Sequence, residues 1–174
     1  MNKFSMEMNF CRRCGERLQH HNGPEYICAN DHHVYANASP AMALILVNDK
    51  NEFLVLERAM DPGKGMLDAP GGFCDGPESL EDTIAREVKE EVGLDPSDYT
   101  KPEFLCTQVD PYEFGGEMMP VLGVNFMART TTDKQPIAGD DAATAVWVPA
   151  DRLELDKVFF GSVREGFRRV ISRL

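Results

Sequence analysis

The stretch GGFCDGPESLEDTIAREVKEEVGL, residues 71–94, decides how this chain is interpreted. Pro77 and Glu78 suit the start of a helix, and Gly93 suits its end. Acidic residues crowd this predicted helix, although like charges three or four positions apart weaken an isolated helix by about 0.2–0.5 kcal/mol per pair. The crowding therefore needs a physical explanation.

The predicted helix has an apolar stripe beside an acidic flank. Leu80, Ile84 and Val88 recur every four residues and predict the stripe that faces the core. At about 100° per residue, three acidic side chains fall along one flank of that stripe: Glu87, Glu90 and Glu91. Such a cluster either keeps one member protonated or binds a cation. Hard carboxylate oxygens favour Mg²⁺ or Mn²⁺, whereas the alternative is a solvated charged face.

The composition predicts a globular chain with one domain and a small appendage. Of its 174 residues, 43% are hydrophobic and 27% charged, which excludes the disordered class. The net charge of −11 disfavours nucleic acid as a partner, but it permits a small phosphorylated ligand held through metal ions. No apolar run is long enough to span a membrane. Five cysteines and no signal-peptide pattern predict a cytoplasmic protein with reduced thiols.

Residues 1–39 are predicted to form a small zinc-ribbon-like β segment. Cys11 and Cys14 form a CxxC motif, and Gly15 behind them permits the tight turn that points both thiolates at one ion. Cys28 opens a second turn of the same kind. A segment of this size has too little apolar surface to fold unaided, so a bound Zn²⁺ would explain it. The alternative is a metal-free segment held by packing.

The fourth zinc ligand is ambiguous in the sequence. Asp31 stands where a fourth cysteine is expected, and two histidines follow it. Zinc accepts imidazole and, less often, carboxylate in a tetrahedral site. We favour His32 and keep His33 and Asp31 as alternatives.

From residue 40 onward the pattern indicates strands that alternate with loops and two helices. AMALILVN predicts a buried strand, and EFLVLERA returns beside it as a hairpin. The glycine- and proline-rich stretch 60–72 predicts a loop with at most a short strand. Further elements are a hairpin over 102–129, a loop over 130–142, a strand over 143–149 and a helix over 160–174. This order favours an α/β fold, with a mixed sheet between helices.

The string from Gly72 to Leu94 resembles the Nudix box. Gly72, Glu78 and the run REVKEEVGL over residues 86–94 fill its defining positions with the expected gaps. The resemblance covers residues 40–174 and implies a Nudix hydrolase domain with an α/β/α sandwich. The segment before it is similar to that of an ADP-ribose and NADH pyrophosphatase-like subset, although that subset usually carries four cysteines.

The resemblance implies a role for each matching residue. The ligands of Mg²⁺ or Mn²⁺ would be the three flank glutamates and the backbone carbonyl of Gly71: Glu87, Glu90, Glu91 and Gly71. Arg86 would orient this shell, and Glu78 would support it. The general base would be Glu91 or a residue of the later loop, for which Asp141 is the candidate, while Asp140 and Asp141 also suit an ordinary turn.

The resemblance also implies the reaction, in which water attacks one phosphorus of a pyrophosphate. The substrate would be a nucleoside diphosphate linked to another moiety, with ADP-ribose or a related ADP-linked compound expected first. NADH is the alternative substrate, and a non-catalytic nucleotide-sensing or partner-binding module is the alternative function. Phe73, Tyr112 and Phe114 are candidates to stack on the nucleobase, or else pack within the fold. A homodimer is compatible with the resemblance.

Overall fold

The computed structural model describes residues 8–139 and 142–174. Two compact units emerge: one takes the described residues up to Ser39 together with Pro111–Val121, and the other takes Pro40–Asp110 and Leu122–Leu174. The division into a segment 1–39 and a domain 40–174 stays a prediction of domain organisation.

The first unit contains a small antiparallel sheet. Its strands are β1 (Leu18–Asn22), β2 (Glu25–Cys28) and β3 (His33–Tyr35), in the spatial order β1-β2-β3. Within the described residues 8–39, the buried apolar side chains are Cys11, Cys28 and Ala36. The predicted small β segment is confirmed, and its apolar core is too small to explain its folding.

The second sheet has seven strands in the described part of the chain. Five follow the order β10-β5-β4-β9-β8, while β6 pairs with β5 and β7 pairs with β4. The strands are β4 (Ser39–Val47), β5 (Glu52–Arg58), β6 (Leu67–Asp68), β7 (Gly71–Phe73), β8 (Glu103–Phe114), β9 (Glu117–Arg129) and β10 (Ala142–Pro149). Both predicted hairpins are present as β4–β5 and β8–β9.

One long helix packs on each face of this sheet. Successive side chains of β4 alternate between the faces: Leu44 and Leu46 join the core under α1 (Leu80–Val92), and Ile45 and Val47 join the core under α2 (Gly161–Ile171). The predicted α/β/α architecture is confirmed. Three 3₁₀ turns complete the order, at Pro96–Asp98, Ala150–Arg152 and Leu155–Lys157. Among the described residues, none of the helices combines the length and apolar character that a membrane crossing requires.

Helix α1 starts later than the sequence predicted. Ser79 is its N-cap: the Ser79 hydroxyl accepts the Asp82 N–H at 3.1 Å, and the Asp82 carboxylate accepts the Ser79 N–H at 3.3 Å. This reciprocal capping box places Pro77 and Glu78 before the helix, so their prediction as helix-start residues is wrong. The predicted end is right, because Gly93 has a left-handed φ of 72°.

The stretch 60–72 holds more strand than predicted. After the two residues of β6, the chain leaves β5, passes through Ala69 and Pro70, and joins β4 as β7. The carbonyl of Pro70 accepts the N–H of Leu44 at 2.8 Å, which fixes this passage to the sheet. The passage sets the position of Gly71, the residue directly before the motif that begins at Gly72.

Candidate functional site

Arg86 gathers the acidic side chains around one guanidinium group. Its Nε and Nη2 donate to the two carboxylate oxygens of Glu78 at 2.9 and 3.0 Å. Its Nη1 donates to Glu87 Oε1 at 2.8 Å and to Glu90 Oε2 at 3.1 Å. Nη2 also donates to the carbonyl of Phe73 at 3.0 Å. The guanidinium thereby joins α1, the loop before it and β7.

The pairing of Arg86 with Glu78 fixes the charge of both groups. Hydrogen bonds from Arg86, with others from the Asp75 N–H and the Thr83 hydroxyl, lower the pKa of Glu78 to about 2. The same pairing raises the pKa of Arg86 above its usual range. Near neutral pH the pair is therefore ionised, and Glu78 acts as an anchor for the arginine.

Glu91 is tied to the strand that precedes the helix. The Gly71 N–H donates to Glu91 Oε2 at 2.8 Å. Glu87 and Glu91 are each only 9% exposed, whereas Glu90 is exposed. A side chain on Gly71 would collide with the carbonyl oxygen of Met42 on β4, so glycine is what lets this N–H approach the carboxylate.

Gly72 has a steric role of the same kind. A Cβ at this position would overlap the carboxylate of Glu87. The backbone at Gly72 therefore lies directly against a buried acidic group, and a Cβ there would require the Glu87 carboxylate to move.

The donor chemistry of this cluster fits a hard divalent cation. Arg86 supplies one positive charge to the three carboxylates that it contacts, and Glu91 adds a fourth carboxylate on the same side of α1. The cluster thus sets four carboxyl groups against one guanidinium. Mg²⁺ and Mn²⁺ prefer oxygen ligands of this kind, so the residues present suit such an ion.

The loop that follows β9 reaches the C-terminal end of α1. The N–H of Gly139 donates to the backbone carbonyl of Glu91 at 2.9 Å, and the N–H of Ile137 donates to that of Val92 at 3.2 Å. Asp141, the loop candidate for the general base, lies outside the described residues, as does its neighbour Asp140. Its role stays a prediction.

The three predicted stacking aromatics occupy different parts of the chain. Phe73 is half-buried on β7, next to the glycines of the motif. Tyr112 and Phe114 belong to the stretch Pro111–Val121 of the first unit, where Phe114 is 69% exposed. Their contacts with a nucleobase stay predictions.

The cysteines of the N-terminal segment converge with one histidine. The ligand atoms of Cys11, Cys14, Cys28 and His32 all lie within 4.8 Å of one another. Cys14 Sγ lies 3.7 Å from Cys28 Sγ and 3.3 Å from His32 Nδ1, and Cys11 Sγ lies 3.6 Å from the same nitrogen. A tetrahedral Zn²⁺ separates its sulfur and nitrogen ligands by roughly 3.6–3.8 Å, so this group suits zinc.

The alternative fourth ligands point elsewhere. His33 Nδ1 lies 2.6 Å from Glu25 Oε1, across the β2–β3 pair. The Asp31 side chain is 88% exposed, and its backbone takes a left-handed φ of 58° that turns the chain between Cys28 and His32. The structure thus brings His32 to the three thiols, and neither alternative joins that group.

Sequence reasoning missed one local signal and one tertiary contact. The pattern Ser79-x-x-Asp82 is a capping box with aspartate in place of the usual glutamate, and it would have placed the helix start correctly. The contact between Arg86 and the Phe73 carbonyl, by contrast, depends on how β7 lies against α1 and has no sequence signal.

Comparison with known proteins agrees with this architecture. A family model described as NUDIX domain matches residues 38–168. The chain is 34% identical over 111 residues to the protein named NAD(P)H pyrophosphatase NUDT13, mitochondrial, from Homo sapiens, a match covering 63% of this chain and 30% of that protein. It is 41% identical over 58 residues to ADP-ribose pyrophosphatase from Methanocaldococcus jannaschii, covering 33% of this chain and 34% of that protein.

A solved structure shares the fold over nearly the whole chain. The crystal structure of a NUDIX hydrolase from Nitrosomonas europaea has a TM-score of 0.70 at 21% identity, covering 95% of this chain and 92% of that one. The two curated relatives are matched over only 30% and 34% of their own lengths. Since the family model spans most of the chain and includes the whole glutamate motif, the chain belongs to the Nudix family.

Proposed function

We propose that this chain hydrolyses a pyrophosphate bond in a nucleoside diphosphate linked to another moiety, with Mg²⁺ or Mn²⁺ as cofactor. The observation that carries the proposal is that Arg86 gathers three glutamates at 2.8–3.1 Å beside the glycine pair 71–72. Family membership supports the same reaction. A solvated charged face explains neither the burial of two of the four glutamates nor the close approach of both glycines.

The proposed ligands are the three glutamates on the flank of α1 and the backbone carbonyl of Gly71: Glu87, Glu90, Glu91 and Gly71. A divalent ion bound there would neutralise the diphosphate and lower the pKa of the attacking water. Arg86 holds two of the carboxylates in place from one side, and the Gly71 N–H holds the third from the other. Glu78 anchors Arg86 and so keeps the shell assembled.

The proposed reaction needs one proton acceptor. Water attacks a phosphorus, the bond from that phosphorus to the bridging oxygen breaks, and the bond electrons leave with the other phosphate. The proton of the attacking water passes to a carboxylate. Glu91 is the first candidate because its position is fixed by Gly71, and Asp141 is the second.

We propose ADP-ribose or a related ADP-linked compound as the first substrate. The relative from Methanocaldococcus jannaschii, which carries the name ADP-ribose pyrophosphatase, supports this choice. The name of the human relative favours NAD(P)H as the second candidate. Both substrates carry an adenosine diphosphate half, for which the proposed stacking residues are Phe73, Tyr112 and Phe114.

A substrate panel tests the proposal. Wild-type protein and Glu91→Gln are assayed with Mg²⁺ on ADP-ribose, NADH, ADP-glucose, diadenosine polyphosphates and oxidised dGTP, and the phosphomonoesters formed are detected with a coupled phosphatase. We expect ADP-ribose to give the highest kcat/KM, with AMP and a sugar phosphate as products. If a triphosphate is instead turned over best, with release of pyrophosphate, the proposal of ADP-ribose as first substrate is wrong. Turnover of no compound in the panel would favour a nucleotide-sensing or partner-binding module.

We also propose a structural Zn²⁺ in the N-terminal segment, held by Cys11, Cys14, Cys28 and His32. The separations of the ligand atoms support tetrahedral coordination. The small number of buried apolar side chains in residues 8–39 supports a stabilising role, because an ion would replace the missing core.

A further inference from the structure

Between β6 and β7 the chain moves from one partner strand to another within two residues. Asp68 ends β6, which pairs with β5, and Gly71 begins β7, which pairs with β4. Ala69 and Pro70 lie between them, and both are buried. Because proline has no N–H, Ala69 carries the only amide donor of this passage. A buried N–H requires a partner.

That partner is the side chain of Asp68. Its Oδ1 accepts the Ala69 N–H at 2.9 Å, and its Oδ2 accepts from Arg58 Nη1 at 2.8 Å. The Asp68 side chain is 11% exposed and the Arg58 side chain 20%. Each oxygen of this carboxylate thus has its own donor, and removing one partner of a buried ion pair leaves an uncompensated charge.

Arg58 is itself held from several sides. Its Nε donates to the carbonyl of Pro62 at 2.9 Å. Its guanidinium carbon lies 5.2 Å from the ring centroid of Phe159 and 5.2 Å from that of Phe160. The N–H of Phe159 donates to the Leu67 carbonyl at 2.9 Å, which brings this aromatic pair onto β6. The ion pair therefore joins β5, β6 and the segment before α2.

From Asp68 the passage leads directly to the glutamate shell. The Pro70 carbonyl accepts the Leu44 N–H at 2.8 Å, and the next residue, Gly71, donates to Glu91 Oε2 at 2.8 Å. Only Ala69 and Pro70 separate Asp68 from Gly71, so we expect a displacement of the backbone at Asp68 to reach the Gly71 N–H. A hydrogen bond weakens steeply when its angle and distance change.

We infer that Arg58 and Asp68 form a positioning pair that sets the hydrogen bond between the Gly71 N–H and Glu91. If Glu91 binds metal, as the proposed function on which this consequence rests requires, the pair also tunes metal affinity. Groups that orient metal ligands typically contribute about 10–100-fold to affinity. Neither residue needs to touch the substrate for this role.

The test compares Asp68→Asn with a matched control, Asp98→Asn. Asp98 is a buried carboxylate of the same kind: its side chain is 8% exposed, and its Oδ2 lies 2.8 Å from Lys134 Nζ. Both variants should have a lower free energy of unfolding than the wild type in denaturant titrations. Amide hydrogen exchange of Gly71 is measured by NMR on protein free of Mg²⁺ and Mn²⁺ that keeps its zinc, and Mn²⁺ affinity is measured by titration.

We expect Asp68→Asn to speed exchange at Gly71 about tenfold and to weaken Mn²⁺ binding about tenfold. Asp98→Asn should change the Gly71 exchange rate and the Mn²⁺ affinity by less than about twofold each. Unchanged Gly71 exchange in Asp68→Asn would overturn the inference, and so would equal acceleration in both variants. If the wild type binds no Mn²⁺ while Gly71 exchange responds as expected, the positioning pair is supported and the proposed function fails.

A second variant covers the case in which Asp68→Asn does not fold. Arg58→Lys keeps the positive charge but loses the planar fork that contacts both Asp68 and the Pro62 carbonyl. It should accelerate Gly71 exchange by about threefold. Exchange at the wild-type rate in Arg58→Lys would contradict the positioning role.

Discussion

The Gly71 N–H donates to Glu91 Oε2 at 2.8 Å, although the two residues lie on different elements, the strand β7 and the helix α1. This bond fixes one end of the glutamate shell to the sheet, while Arg86 fixes the other end through Glu87 and Glu90. Hydrogen bonds from the protein itself therefore orient all three glutamates of the α1 flank.

The first prediction concerns the N-terminal segment. Dialysed protein should contain about one Zn²⁺ per chain by elemental analysis, because the four ligand atoms of the segment suit one tetrahedral ion. Cys11→Ser should lose the ion and make residues 8–39 sensitive to proteolysis, while Mg²⁺-dependent turnover stays within about twofold. His33→Ala is the control and should keep its zinc. Metal-free protein with a protease-resistant segment would contradict the zinc assignment.

The second prediction uses the low pKa of Glu78. Hydrogen bonds from Arg86 lower this pKa from 4.5 to about 2. A lowered carboxylate pKa stabilises the folded state above the unfolded pKa, and this stabilisation is lost as pH falls through the folded value. Wild-type protein should therefore be more stable than Glu78→Gln at pH 7, and the difference should shrink between about pH 4.5 and pH 2. Denaturant titrations at several pH values measure this difference in the free energy of unfolding. A difference that does not change with pH would contradict the lowered pKa of Glu78.

The third prediction concerns Asn125 on β9. Its side chain is fully buried against Gly166 of α2, and neither amide atom finds a hydrogen-bond partner within residues 8–139 and 142–174. Burying an unpaired amide costs more than burying an apolar group of the same shape. Asn125→Leu should raise the free energy of unfolding by about 1 kcal/mol. Asn125→Asp is the control and should lower the free energy of unfolding.

A lower melting temperature in Asn125→Leu would contradict that prediction. It would mean that the carboxamide makes a favourable contact, such as an internal water, which the leucine displaces.

The sequence was sufficient to predict the faces of α1. A helix turns about 100° per residue, so the spacing of Ile84 and Val88 fixes which side meets the sheet, and both are buried. The same period places Glu87 and Glu91 beside that side, where each is 9% exposed. These relations are local and need no knowledge of the partner strands.

The passage at Ala69–Pro70 could not be predicted, because it depends on pairing between distant strands. Asp68 lies opposite Leu56 because β6 pairs with β5, and this register brings it within reach of Arg58 two residues along β5. A strand of two residues leaves no alternating pattern in the sequence. The glycines and prolines of this stretch indicate a loop, whereas the tertiary structure imposes two strands. The position of the two histidines also depends on strand pairing: His33 begins β3 and its side chain contacts Glu25 on β2, whereas His32 lies beside the thiols.

The fourth prediction concerns divalent metal binding by the crowded glutamates. Glu91→Gln removes one negative charge and keeps an oxygen that can accept the Gly71 N–H. In EDTA it should melt at or slightly above the wild-type temperature, because repulsion within the cluster falls. Saturating Mg²⁺ should stabilise the wild type more than the variant, and turnover should fall about 10²-fold or more in the variant.

The most direct measurement is the pair of melting curves, with EDTA and with Mg²⁺, for wild type and Glu91→Gln, followed by one activity assay on the same samples. We expect the order of melting temperatures to invert, or the wild type to gain clearly more on adding Mg²⁺, and we expect the variant to lose turnover. Equal Mg²⁺-induced shifts together with retained turnover in Glu91→Gln would contradict the assignment of Glu91 to the metal site.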